Sequence, residues 1–159
     1  MAIKTAILTV SDMCAQGKRA DTSGKTIEEM LPKETFEVCQ KTVVPDDFET
    51  ITRTLRRFSD VLKAQVVLTT GGTGLGPRDV TPEATIRVCD RVVPGVSEIL
   101  RCESYKKTPN AMLSRGVSVM RDNTLIINLP GSPKAVRECM EIILEVLPHA
   151  VDMMLGGGH

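Results

Sequence analysis

Residues 69 to 85 read TTGGTGLGPRDVTPEAT, with glycines at 71, 72, 74 and 76 after a β-branched run and Arg78 and Asp79 ahead of the first helix start. Glycine lets backbone N–H groups curl around an oxyanion with no Cβ in the way, and Thr70 and Thr73 add hydroxyl donors. The stretch therefore suits a phosphate. It is not a Walker A loop, because no Gly-Lys-Ser/Thr follows. Nor is it a dinucleotide fingerprint, because Pro77 stands where a third spaced glycine is needed. A plain strand-to-helix connection, with Arg78 and Asp79 paired to each other or capping the helix, is the competing reading. Asp79 favours chemistry: a carboxylate beside bound phosphate is repelled unless a cation lies between them, and Mg²⁺ bridges one or two carboxylates and substrate phosphates. Asp46, at another strand end, supplies the second acid. These residue types point to metal-assisted phosphoryl or nucleotidyl transfer, in which positioning and charge neutralisation supply most of the catalysis.

Other chemistries lack material. The histidines are His149, beside an apolar stretch, and His159, the last residue, so zinc sites and Ser-His-Asp triads are disfavoured. Cys14, Cys39, Cys89, Cys102 and Cys139 form no C-x-x-C pair, and their odd number fits reduced thiols in a cytoplasmic protein. Twenty basic against twenty acidic residues leave no net charge, and there is no Trp and one Tyr. A nucleic-acid footprint and stacking platforms for bases are both missing. No apolar run approaches the ~18 residues that span a bilayer, and no signal-peptide pattern opens the chain. A soluble protein without a membrane partner is the expectation.

The elements that must position these groups follow from periodicity. TAILTV at 5–10, 36–44, VVLTT at 66–70, GVSVM at 116–120 and TLIINL at 124–129 read as strands. Helices are expected from Thr22 or Ser23 to Pro32, from Asp46 or Asp47 through Leu62, from Thr81-Pro82 and over 96–106. A short one follows Thr108-Pro109, and a long one runs from Ser132-Pro133 through Leu147. Residues 13–24 are expected as loop and the terminal GGGH as frayed. Alternating strands and helices predict one α/β sandwich domain over 1–159 with a mostly parallel central sheet. Ligands in such sheets gather at the carboxyl ends of the strands.

Several ordered motifs carry a resemblance. TTGGTG with RDVTPEAT, LTVSD at 8–12, DTSG at 21–24, VPDD at 44–47, VPG at 93–95, AMLSRGV at 111–117 and NLPGSPKAV at 128–136 span nearly the whole chain. Together they resemble the molybdenum cofactor biosynthesis family, in particular the molybdopterin adenylyltransferases and the G domain of gephyrin and its plant counterparts. The resemblance implies a three-layer α/β/α sandwich, a homotrimer, and transfer of AMP from Mg-ATP to the terminal phosphate of molybdopterin with release of pyrophosphate. A molybdenum-insertion protein is the implied downstream partner. Asp46 and Asp79 match the essential aspartates and are expected to bind Mg²⁺, with Asp47 as the alternative to Asp46. Thr70, Gly71, Gly72, Thr73 and Gly74 match the anion loop. Ser11, Asp12, Ser114 and Arg115 match positions on the pterin side, and Leu129, Pro130, Gly131 and Ser132 match the stretch near the nucleotide. Some relatives called B-type proteins replace the aspartate of the RDVTP region; this chain keeps it and sides with the catalytic members. A carrier or scaffold that holds molybdopterin without chemistry is the alternative, and nucleotide hydrolysis by a related competence-type domain ranks below it.

Overall fold

The computed structural model describes residues 1–158. In chain order the regular elements are β1 (Ile3–Val10), α1 (Asp12–Ala15), α2 (Thr22–Met30), β2 (Phe36–Val44), α3 (Phe48–Arg56), β3 (Val66–Thr70), α4 (Thr81–Val88), β4 (Arg91–Val92), α5 (Pro94–Tyr105), β5 (Ser118–Arg121), β6 (Thr124–Leu129), α6 (Pro133–Ile143) and α7 (Leu147–Met154). A π-helical turn, Arg57–Val61, extends α3, and a 3-10 helix, Pro109–Leu113, follows α5.

The six strands lie in the order β2-β1-β3-β6-β5-β4. β2, β1, β3 and β6 run parallel, and β5 alone runs against its neighbours β6 and β4. Both faces are covered, as the continuous apolar runs of the central strands require. On one face Ile7, Leu68 and Ile127 pack with Ile27 of α2, Leu100 of α5, Val136 and Met140 of α6 and Val151 of α7. On the other, Leu8, Val67 and Ile126 pack with Ile51, Leu55 and Phe58 of the α3 segment and with Ala84 and Val88 of α4. The expected three-layer sandwich with a mostly parallel sheet is the observed one.

Several local expectations are corrected. α2 is capped by Asp21, whose carboxylate accepts from Gly24 N at 2.9 Å, and not by Thr22 or Ser23. Residues 13–15, expected as loop, belong to the short helix α1 (Asp12–Ala15), because Ser11 caps it through Cys14 N. Thr81 does not cap α4; its hydroxyl donates to Gly71 O at 2.9 Å. The last long helix stops at Ile143 and a separate α7 begins at Leu147, with Pro148 in its first turn, where proline is tolerated. Gly156 and Gly157 are not frayed: they donate to Met153 O and Asp152 O at 3.0 and 2.8 Å, and Gly156 takes φ +86°, a Schellman-type close to α7. His159 lies outside the described residues.

The β1–β2 pairing shifts by one residue partway along. Thr5 pairs with Val38 and Ala6 with Gln40, leaving Cys39 without a partner on β1. Beyond the shift the strands stay in step to Val10 and Val44, which deliver the chain to Ser11-Asp12 and Pro45-Asp46. The sheet order places β2 and β3 on opposite sides of β1, so the carboxyl ends of β1 and β3 flank a topological switch point, where α/β sheets bind their ligands.

Candidate functional site

At that switch point the ends of β1 and β2 are locked to each other. Asp12 N donates to Asp46 Oδ2 at 2.9 Å, and Asp46 N donates to Asp12 Oδ1 at 3.0 Å. Asp47, one residue on, instead caps α3, accepting from Thr50 N at 2.9 Å and from the Thr50 hydroxyl at 2.6 Å. The two neighbouring aspartates are thereby separated by task. Asp46 turns into the sheet end, and Asp47 turns toward solvent.

The glycines between β3 and α4 leave room for atoms of the chain itself. Gly71 and Gly72 take φ +95° and +70°, the left-handed region where a side chain is strained. A Cβ on Gly71 would lie 2.2 Å from Val10 O, and one on Gly72 would lie 2.2 Å from the Thr81 hydroxyl and 3.3 Å from Asp46 Oδ1. Gly74 and Gly76 make room for Asp79: a Cβ on either would meet its Oδ2 at 2.9 or 2.8 Å, and Gly76 N donates to that oxygen at 2.9 Å. In this structure the anion that the loop holds is its own Asp79 carboxylate.

Charge organises the same region. Arg78, on the exposed rim of the loop, forks onto Asp12, with Nε to Oδ2 at 2.6 Å and Nη2 to Oδ1 at 3.0 Å. Its guanidinium, helped by the Asp46 N–H, holds the Asp12 carboxyl below its ordinary range. Asp46 behaves oppositely. Burial pushes its carboxyl up, and the charges of Asp12 and Asp79 add to the rise, outweighing the Asp12 N–H and the Arg78 charge. Among the described residues no group of three or more His, Cys, Asp or Glu side chains is placed to hold a metal ion alone. Asp46 and Asp79 still fit Mg²⁺ as a pair, since carboxylate oxygens are its preferred donors and substrate phosphates complete its shell. A Cβ at Gly72 would come within 3.3 Å of Asp46 Oδ1, so the glycine keeps that carboxylate oxygen clear of a side chain.

Next to this carboxylate end lies a cavity of about 500 Å³ between α5, the 3-10 helix, the end of β6 and the start of α6. Thr73, Gly74, Ser114 and Pro130 line it, with Leu100 and Leu113 as apolar wall and Arg101, Asn110 and Glu138 as polar lining. Arg101 Nη1 donates to Gly116 O at 2.7 Å, so its guanidinium is anchored at the cavity wall.

The residues expected at the site fall into three groups. Asp12 and Asp46 meet at the carboxylate end beside Gly72, Asp79 is folded onto Gly74 and Gly76 of the same loop, and Thr73, Gly74, Ser114 and Pro130 line the cavity. Ser11 precedes Asp12 at the end of β1, and its hydroxyl accepts from Cys14 N at 3.2 Å. The other expected residues hold the frame. The Thr70 hydroxyl donates to Pro130 O at 2.6 Å and is not free for an oxyanion. Leu129 is fully buried in the core and meets the loop only through its carbonyl, which accepts from Gly71 N. Gly131 O accepts from Ser23, and Ser132 caps α6 through Ala135 N at 3.2 Å. Arg115 donates to Gly74 O and Asp79 O at 2.7 and 2.6 Å and pairs with Glu83, so its guanidinium braces the loop.

Sequence reasoning missed the Arg78–Asp12 pair, which spans 66 residues, because only the sheet order brings those strand ends together. It also missed Arg101 and the buried Asn128. That side chain donates to the hydroxyls of Thr69 and Thr85, both at 3.0 Å, and accepts from Val117 N at 3.1 Å. The lone Asn inside the apolar TLIINL was the available signal, since a polar group so buried requires partners.

Comparison with known proteins gives a consistent result. Residues 6–149 match the family described as a probable molybdopterin binding domain. The chain is 40% identical over 156 residues to the molybdopterin adenylyltransferase of Helicobacter pylori strain J99, covering 97% of this chain and 89% of that protein. It is 46% identical over 150 residues to the molybdenum cofactor synthesis protein cinnamon of Drosophila melanogaster, covering 93% of this chain but 25% of that longer protein. Among solved structures, the molybdopterin biosynthesis enzyme MoaB of Thermus thermophilus superposes with a TM-score of 0.91 at 49% identity, over 97% of each chain.

Proposed function

The chain belongs to the molybdopterin-binding domain family, and from that premise we propose that it is a molybdopterin adenylyltransferase of molybdenum cofactor biosynthesis. It joins AMP from ATP to the terminal phosphate of molybdopterin and releases pyrophosphate. The observation that carries the reading is that one glycine loop meets both acids, Asp46 beside Gly72 and the Asp79 carboxylate on Gly74 and Gly76, next to a cavity large enough for an organic substrate. Relatives named for this activity, 89% covered by this chain in the Helicobacter case, support it.

In the reaction a molybdopterin phosphate oxygen attacks the α-phosphorus of ATP, the new P–O bond forms, and the α–β bridging bond breaks with its electrons leaving on pyrophosphate. The nucleophile is already anionic, so no general base is needed, in keeping with a site that holds no histidine among the described residues. Asp46 and Asp79 would hold Mg²⁺, which when bound neutralises polyphosphate charge. Asp12 orients Asp46 through its backbone N–H. Arg115 and Gly76 orient Asp79. The cavity wall at Thr73, Gly74 and Ser114 receives the pterin, and residues 130–132 with the first turn of α6 lie on the nucleotide side, where free helix N–H groups favour phosphate.

The decisive experiment incubates the purified chain with molybdopterin, ATP and Mg²⁺. Pyrophosphate release with a mass gain of AMP on the pterin is the expected result, and tight pterin binding with no turnover establishes the carrier reading instead. A cytoplasmic homotrimer that passes its product to a molybdenum-insertion protein belongs to the same proposal. For that assembly light scattering should give three times the 17.3 kDa chain mass.

A further inference from the structure

Among the described residues that line the cavity, one is acidic and one is cationic: Glu138 of α6 and Arg101 of α5. They do not neutralise each other. Arg101 donates through Nη1 to Gly116 O at 2.7 Å and to Ser114 O at 3.5 Å, which ties its guanidinium to the wall through backbone carbonyls. Glu138 pairs instead with Lys107, a residue outside the cavity lining, at 3.8 Å. That separation is beyond hydrogen-bond reach, so the lysine does not take up the acceptor lone pairs of the carboxylate. The Glu138 side chain is 20% exposed and that of Lys107 53%, so the acid is the more withdrawn of the two. A carboxylate so placed calls for donors, and the cavity is where a ligand can bring them.

We propose that Glu138 is the specificity-determining residue of this cavity, its carboxylate accepting from the aminopyrimidinone edge of the pterin. The proposal rests on the adenylyltransferase reading for the presence of a pterin. That edge sets a ring N–H beside an exocyclic amino group, two parallel donors that a carboxylate accepts together, as it does from an arginine fork. Adenine does not match, because its amino group is flanked by ring nitrogens that only accept, and one carboxylate oxygen would face a lone pair. The same acid therefore separates the two substrates by chemistry. The pterin carbonyl oxygen only accepts, and Arg101 is the donor on the wall that suits it. Leu100 and Leu113 supply apolar wall for the flat ring.

The test titrates the purified full chain with neopterin monophosphate, a fluorescent pterin with a phosphorylated side chain, and with its lumazine analogue, in which a carbonyl replaces the amino group. Wild type should bind the pterin about tenfold or more tightly, the scale of one charged hydrogen bond. Glu138→Gln turns one of the two acceptors into a donor, which matches the lumazine edge, so the preference should reverse. A gain in lumazine affinity cannot come from a damaged fold. Should Glu138→Gln unfold by circular dichroism, Glu138→Ala, which keeps a strong helix former in α6, carries the comparison and should bind both ligands about equally. Lys107→Ala removes only the exposed ion pair and should leave the preference within about twofold. In adenylyl transfer Glu138→Gln should raise the KM for molybdopterin about tenfold and leave kcat within about threefold. Equal or undetectable binding of the two ligands by wild type, or a preference that survives the Glu138 variants, overturns the proposal. So does tighter binding of guanosine monophosphate, which carries the same edge on a nucleotide. A wild type that transfers no AMP yet shows the reversal loses the adenylyltransferase reading and keeps the edge recognition; AMP transfer with an unmoved preference does the opposite.

Discussion

Asp46 is held at a cost to stability. Its carboxyl is raised by burial and by the Asp12 and Asp79 charges, so its contribution to stability is full below the unfolded value of about 3.9 and is lost as pH rises through the higher folded value. Asp12 works in the opposite sense. Its lowered carboxyl contributes stability above about 3.9 that is lost only as pH falls through the depressed folded value. Asp46→Asn keeps an acceptor for Asp12 N while removing a repelled charge, so its Tm should rise by a few degrees in calorimetry at neutral pH. Adenylyl transfer by the same variant should fall by about a hundredfold or more. The acid limb of the activity profile should lie above the ordinary aspartate value, and a limb at or below that value would contradict the assignment of Asp46. Asp79→Asn should fold and bind pterin yet lose transfer to a similar degree. A variant that turned over normally would make Asp79 structural only. Gly76→Ala places a Cβ 2.8 Å from Asp79 Oδ2 with no strained φ to relieve; it should leave Tm nearly unchanged while lowering kcat, because the carboxylate must move.

Elements carry the stability predictions. Ser132→Ala removes the α6 cap and should lower stability by about 1 kcal/mol in urea unfolding. If ATP affinity held in that variant, Ser132 would be a cap and nothing more. Gly72→Ala combines a left-handed φ with a Cβ 2.2 Å from the Thr81 hydroxyl and should cost about 1–3 kcal/mol. Asn128→Ala strands Val117 N and the buried Thr69 hydroxyl and takes one partner from the Thr85 hydroxyl, which keeps its bond to Thr81 O, for a loss of about 2–4 kcal/mol. The elements most legible from sequence were those with unambiguous signals. Phe36–Val44 and Val66–Thr70 were bounded correctly because β-branched runs ended at Pro45 and Gly71. Ser132-Pro133 marked the start of α6 because a hydroxyl cap and an N1 proline act within one turn. The β4 pair was illegible because two residues carry no periodicity, and the break before α7 was hidden because the apolar stripe continues through it from Ile143 to Leu147.

At the scale of the molecule, pattern gave the layers while only the sheet order gave the site. Alternating strands and helices were enough for a mostly parallel sandwich, and each strand end could be nominated one at a time. Which ends meet is a long-range property. Hence the sequence grouped Asp12 with Ser114 without the contacts that the fold gives it to Asp46 and Arg78, and it gave no sign of the bonds that Thr70, Leu129 and Arg115 make within the chain. No helix among the described residues is long and apolar enough to cross a membrane. All five cysteines are free, and burial pushes up the thiols of Cys39, Cys89 and Cys139, which makes them poor nucleophiles. Cys39 matters in another way. It is the supernumerary residue of β2, and it holds everything after it back by one step against β1. Were the strand to run evenly from Phe36, Pro45 would arrive opposite Asp12, and Asp46 would overshoot the amide that now grips it. That Asp46 and not Pro45 meets Asp12 is therefore decided halfway down a strand, by a miscount that the far end of the sheet turns into chemistry.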